Sequence, residues 1–225
     1  MSAQNSAITF KHHIMAKSIK SFIFAALMLV GLASCNEKEN AIQTTETETE
    51  TEMSNDSVTW KAIEPDQIRN TVGMLRDDWM ALAVGKEGDM NAMTIGWGDL
   101  GVLWNKPIFT VYVSTDRYTH EFMQRNEYFT VTAFPEEMHD ALVYIGSHSG
   151  REGDKLTPAG LHPTFTELGN PIFEEANLAI ECKIIYAHQF ELDQLCDDVK
   201  AFYGDRGMGI HYAYIGEIVS VWEKR

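Results

Sequence analysis

Three short runs concentrate the side chains that could hold a flat, charged ligand. The first is Asn91-Ala92-Met93-Thr94-Ile95-Gly96-Trp97-Gly98. Glycines inside a strand weaken it and often mark the close approach of a ligand or another backbone. Trp97, set between Gly96 and Gly98, offers a broad ring on which a planar group could stack. The second run, Ser114-Thr115-Asp116-Arg117-Tyr118-Thr119-His120, follows a strand-like segment and opens a helix-like one. Thr119 is the expected N-cap. A helix start presents free N–H groups, and Arg117 just ahead of it can grip a phosphate in a bidentate fashion. The third run is Ser147-His148-Ser149-Gly150-Arg151-Glu152-Gly153-Asp154-Lys155, a loop rich in donors and cations. Each run also reads as ordinary structure: a core tryptophan in a kinked strand, a capped helix with a surface arginine, a solvated loop. No Walker A loop and no G-x-G-x-x-G occurs, so a nucleotide fold of those kinds is unsupported.

The elements that must position these runs are mostly strands. Trp79–Gly85 is an apolar run closed by a turn at Lys86-Glu87-Gly88-Asp89. Asn91–Trp97, Pro107–Ser114 and Phe129–Phe134 are β-rich. Leu178, Ile180, Cys182, Ile184 and Tyr186 are spaced to share one face of a long strand, and His211–Trp222 supplies the last. Helices are expected at Met138–Ile145, at Thr119–Arg125 and at Asp193–Phe202. Many strands with few helices predict a mainly β domain, a barrel with a few helices, rather than alternating βαβ units. The folded part should run from about Val58 to Arg225, long enough for one substantial core.

Upstream of it the composition changes. Lys17 and Lys20 precede an apolar stretch, Ser21–Leu32, too short for a comfortable membrane span. Leu32-Ala33-Ser34-Cys35 then resembles a bacterial lipobox, which implies cleavage before Cys35 and lipidation of that residue. Residues 1–34 are thus expected to be a signal peptide, with Met15 as the initiator. Residues 35–57, with their Thr-Glu repeat, are expected to be a disordered acidic tether spanning at most about 70 Å. The expected location is outside the cytoplasm, on a membrane-anchored lipoprotein. The sequence holds 18 basic and 33 acidic residues, a net charge of −15. Removing the leader takes away three lysines and no acids, which lowers the charge by three, to −18. Such a surface repels nucleic acid and anionic headgroups, leaving membrane binding to the lipid. Besides Cys35, Cys182 and Cys196 are expected to be buried thiols, and no metal-ligand spacing is present.

Taken in order, these runs resemble the flavin reductase-like and flavoredoxin family. The resemblance rests on Asn91, Met93 and Thr94; on Pro107, Val111 and Ser114; and on Arg117 and Thr119. It continues through Ser149, Gly150, Asp154 and Lys155 to His211, Gly216, Glu217 and Ile218. It implies a Greek-key split barrel that dimerises and holds one FMN per protomer near the interface. Arg117, Thr119 and Lys155 would hold the phosphate, and Ser149 and Gly150 would line the phosphate or ribityl chain. Asn91, Met93, Thr94 and Ile95 would border the isoalloxazine, with Trp97 near the ring. Ser114, Ser147 and His211 complete the candidate set. Asp205–Ile210 departs from the family as an insertion ahead of His211.

The resemblance implies a flavin-dependent oxidoreductase or electron-transfer protein whose chemistry belongs to the flavin; no catalytic residue is assigned. Export separates the protein from soluble NAD(P)H, so a redox partner or a small extracytoplasmic acceptor is expected. A non-catalytic flavin or haem carrier on the same anchor is the alternative, because one fold hosts several ligands.

Overall fold

A computed structural model describes residues 59–224 of the chain. The leader, Cys35 and the acidic tether lie outside the described residues. Strands β1 (Trp60–Ala62), β2 (Met80–Lys86), β3 (Asp89–Ile95), β4 (Gly98–Leu103) and β5 (Lys106–Ser114) come first. They are followed by β6 (Tyr128–Ala133), β7 (Pro163–Phe165), β8 (Pro171–Phe173), β9 (Leu178–Gln189) and β10 (His211–Lys224). The α-helical segments are α1 (Thr71–Gly73), α2 (Tyr118–Arg125), α3 (His139–Ser147) and α4 (Asp197–Arg206), and a π-helical turn, Met74–Asp78, follows α1. None of the described helices is long and apolar enough to cross a membrane.

The main sheet is antiparallel, in the order β3-β2-β6-β9-β10-β5-β4, with β1 added to β10. β7 and β8 form a separate ribbon. β3 and β4 end the hydrogen-bonded path at opposite sides, yet only Gly96 and Trp97 separate them in sequence. Three residue steps span at most about 10 Å. The sheet must therefore curl until its two edges nearly meet, and Trp97 sits at the seam. This is a split barrel, as the resemblance implies.

β2 explains why its sequence is an unbroken apolar run rather than an alternating one. Met80, Leu82 and Val84 point into the barrel with Phe109, Phe129 and Ile180. Ala81 and Ala83 face the other way, under Ala141, Leu142 and Ile145 of α3. A strand covered on both faces needs apolar side chains on both. Alanines on the outer face let the helix lie close.

The turn expected at Lys86–Asp89 joins β2 to β3, with Gly88 at φ 79°. Three expectations are corrected. Leu178, Ile180, Cys182 and Ile184 share the face turned to the core as expected, but Tyr186 does not. Leu178–Cys182 are buried on both faces, whereas Tyr186 is half exposed beyond a register shift in the pairing with β10. The third helix, expected over Asp193–Phe202, begins at Asp197 and runs to Arg206. Gly207, left-handed at φ 56°, stops it. Cys196 is exposed, and only Cys182 is a buried thiol; both are free, and burial pushes the Cys182 thiol well up. β4 was not anticipated, because its two glycines and alternating exposure carry little strand signal.

Candidate functional site

All of the candidate side chains come to two adjoining cavities at the seam. The smaller, about 110 Å³, lies between β3, the start of α2 and the loop after α3. The larger, about 500 Å³, runs from β3 past Trp97 to the segment after α4. Met93, Asp116 and Arg117 line both, so the two are continuous.

Asn91 braces the small cleft. It is buried, and its Nδ2 donates to Thr119 Oγ1 at 2.8 Å. On the other side a Cβ at Gly150 would fall 2.2 Å from Asn91 Oδ1, so only glycine fits there. Thr119 is thus not the N-cap expected from sequence. Arg117 occupies that position, and the Thr119 hydroxyl is spent on Asn91 inside the first turn. Ser147 lines the cleft, but its hydroxyl donates back to Val143 and Tyr144 carbonyls at the end of α3. Ser149 accepts from the Arg151 N–H at 3.2 Å.

The electrostatics of the cleft are unbalanced. Lys155 is buried, with Nζ donating to the Ile145 and His148 carbonyls at 2.8 and 2.9 Å. Arg117 Nη1 donates to the Gly146 carbonyl at 2.9 Å. Neither makes an ion pair among the described residues. Nearby Arg151, by contrast, is neutralised by Glu121 at 2.5 Å. Burial, and then the charge of Arg117, lowers the Lys155 ammonium to about 8. The carboxylate that shares this lining, Asp116, accepts from the Gly209 N–H rather than pairing with either cation.

The large cavity is aromatic and less charged. Trp97 is 46% exposed, and its ring centroid lies 5.1 Å from that of His211 and 5.7 Å from that of Phe202. His211 is buried and its Nδ1 lies 3.0 Å from the Tyr203 hydroxyl. Burial and Arg117 lower its pKa, opposed by Asp116, so the ring is neutral at pH 7. Ser114 Oγ donates to the Gly209 carbonyl at 3.0 Å and accepts from the Asp116 N–H. Met93, Thr94 and Ile95 form the β3 wall, with the Thr94 hydroxyl turned away to the Leu142 carbonyl of α3. Sequence reasoning missed Asp116, Arg206 and Met208 as lining residues. Arg206 and Met208 fell in the segment set aside as an insertion, and a helical reading through Arg206 would have brought them in.

The seam of this split barrel joins a cationic cleft to an aromatic cavity. The match to known proteins makes this specific: residues 80–225, more than half of the chain, match the flavin reductase like domain, and the chain belongs to that family. An FMN-binding protein from Thermus thermophilus, solved with bound 1-cyclohex-2-enone, is 28% identical. It aligns over 64% of this chain and 69% of its own, with a TM-score of 0.51. Flavoredoxin from Methanosarcina acetivorans is 24% identical over 72% and 75%, with a TM-score of 0.52. The FMN-binding domain of a flavin reductases-like enzyme from Shewanella baltica OS155 is 16% identical over 74% and 78%, with a TM-score of 0.54. These last two bear on the fold alone. No curated protein matches the chain. Family and neighbours together support a flavin cofactor.

Proposed function

We propose that this chain is an FMN-holding flavoprotein, exported on a lipid anchor at Cys35. On this reading it serves outside the cytoplasm as a flavin-dependent oxidoreductase or electron-transfer protein. The observation that carries the FMN reading is the pair Arg117 and Lys155. They are uncompensated cations in a cleft continuous with the Trp97 cavity. In a chain of net charge −15, a terminal phosphate needs such local cations. The residues fit the group. Arg117 and Lys155 would neutralise the phosphate, and Gly150, which has no Cβ to displace Asn91, lets the loop after α3 close over the cleft. Met93, Ile95 and Trp97 would flank the ring. The flavin, when bound, supplies electron transfer and the protein supplies position and access. Neutral His211 would border the ring without adding charge to the cavity.

The spectrum of the purified protein tests this. It should be yellow with flavin absorption, and the released cofactor should have the mass of FMN. A colourless protein that takes up no added FMN would overturn the reading, and a Soret band would replace it with haem. Export points to a redox partner or a small extracytoplasmic acceptor; fast, specific NADH oxidation would overturn that part.

The domain on this reading is a homodimer. β4 ends the sheet with an unpaired edge, and Val102 (76% exposed) and Trp104 (63%) stand on its hairpin. Trp104 and Asn105 both have positive φ, 51° and 59°. A bulky residue there is strained and needs a reason. An exposed apolar edge that stays soluble is one that is covered. Sedimentation should give about twice the mass of one chain, and Trp104→Glu should shift the protein to monomer. A monomeric parent protein would remove the proposal.

A further inference from the structure

Arg206 at the end of α4 and Gly207 and Met208 after it line the large cavity and not the cationic cleft. They are fixed there. The buried Tyr203 reaches His211 through its hydroxyl, and the Gly209 N–H donates to the Asp116 carboxylate. The Thr115 N–H donates to the Ile210 carbonyl at 3.4 Å. A Cβ at Gly209 would lie 2.4 Å from Thr115 Oγ1, so the turn is pressed against the loop that carries Arg117. The wall and the phosphate cleft are therefore held by one loop.

Three charged residues line this cavity: Asp116, Arg117 and Arg206. The Asp116 carboxylate is taken by Gly209. Arg117 faces the small cleft as well. Arg206 has neither duty. Its guanidinium carbon lies 3.9 Å from the Phe202 ring centroid, and it makes no ion pair among the described residues. Stacking on Phe202 fixes the guanidinium plane while leaving its edge free to donate. Phe202 and Trp97 meet at 51°, not face to face, so the exposed Trp97 still offers ring surface to a ligand.

We infer that α4 forms the selectivity wall of the site and admits planar aromatic ligands bearing an acidic group. The ring would lie against Trp97, and the acid would meet Arg206, which Phe202 holds in place from behind. This rests on the flavin reading, since FMN must fill the inner part of the cavity and leave the outer part to the second ligand. Carboxylates and sulfonates share the required geometry, a planar or trigonal set of anionic oxygens facing a guanidinium edge.

The test uses the full chain saturated with FMN, titrated calorimetrically with naphthalene-2-sulfonate and with the uncharged naphthalene-2-methanol. The sulfonate should bind about tenfold more tightly, the worth of one charge-assisted contact. Arg206→Gln should erase that preference while leaving the neutral ligand within about twofold, and Arg206→Lys should restore part of it. Phe202→Ala, which frees the guanidinium stacked on that ring, should shrink the preference without weakening the neutral ligand, with FMN affinity unchanged in all three variants. Equal affinities in the parent protein, or a preference that survives Arg206→Gln, would overturn the inference and leave the flavin reading intact. Failure of the parent protein to take up FMN would overturn both.

Discussion

Lys155→Met should raise the dissociation constant for FMN about a hundredfold at pH 7. The ammonium is buried near Arg117, and among the described residues its partners are two carbonyls. A charge-assisted contact to phosphate from a desolvated cation contributes about 1.5–3 kcal/mol, or roughly ten- to hundredfold, and this burial places it at the upper end. The pH dependence identifies the group. With its ammonium lowered to about 8, Lys155 is mostly charged at pH 7 and mostly neutral by pH 9 in the ligand-free protein. A bound phosphate dianion favours the charged form, so binding above pH 8 takes up a proton. Affinity should hold steady below pH 8 and fall above it by up to about tenfold per pH unit. Folding stability of the ligand-free protein should move the other way. The unfolded chain keeps this proton up to an ordinary lysine pKa, so stability rises with pH above about 8. Fluorescence titration of FMN from pH 6.5 to 9.5 measures the first effect. A pH profile in Lys155→Met that still bends at pH 8 would show that another group is responsible.

Phe129→Ala should lower stability by about 3–5 kcal/mol, the usual range for deleting a buried ring. Phe129 is fully buried on β6, opposite Cys182 of β9. Its ring lies in a notch made by Gly216, where an added Cβ would be 2.6 Å from the ring carbons. β10 and β9 change register beside that glycine, so the ring fills space that no nearby side chain can swing into. The melting temperature should drop by roughly 10 °C or more for a domain of this size. Gly216→Ala would attack the same contact from the other side by crowding it. A loss under about 1 kcal/mol for Phe129→Ala, read by urea denaturation, would mean that the site collapses after all.

Much of this architecture was legible because the responsible residues act locally. β5, β6, β9 and β10 announce themselves through β-branched and aromatic density, β2 through its unbroken apolar run, and the Glu87-Gly88 turn through its glycine. The gathering of the candidate residues at the seam was legible through the order of the three runs, which is the order the family resemblance rests on. Long-range partners were not. Thr119 looks like a cap from its neighbours, and only the fold brings Asn91 within 2.8 Å to take its hydroxyl. Glu181 sits in an apolar strand as an apparent misfit. In the fold it is buried and satisfied by Thr166 and Asn170, which come from the loop between β7 and β8. Arg206 was hidden for a different reason. α4 carries almost no apolar stripe, so periodicity could not fix where it stops.

The closure of the barrel through Gly96 and Trp97 has a mechanical meaning. Elsewhere each strand is riveted to its neighbours by ladders of backbone hydrogen bonds, but across this joint the continuity is two residues of chain. The domain is therefore built like a cuff with its clasp at Trp97. A ligand reaching from Arg117 beside β5 to Met93 and Ile95 on β3 would fasten that clasp from within. Occupancy and the girth of the barrel would then be one property, with the cofactor a structural member as much as a reagent.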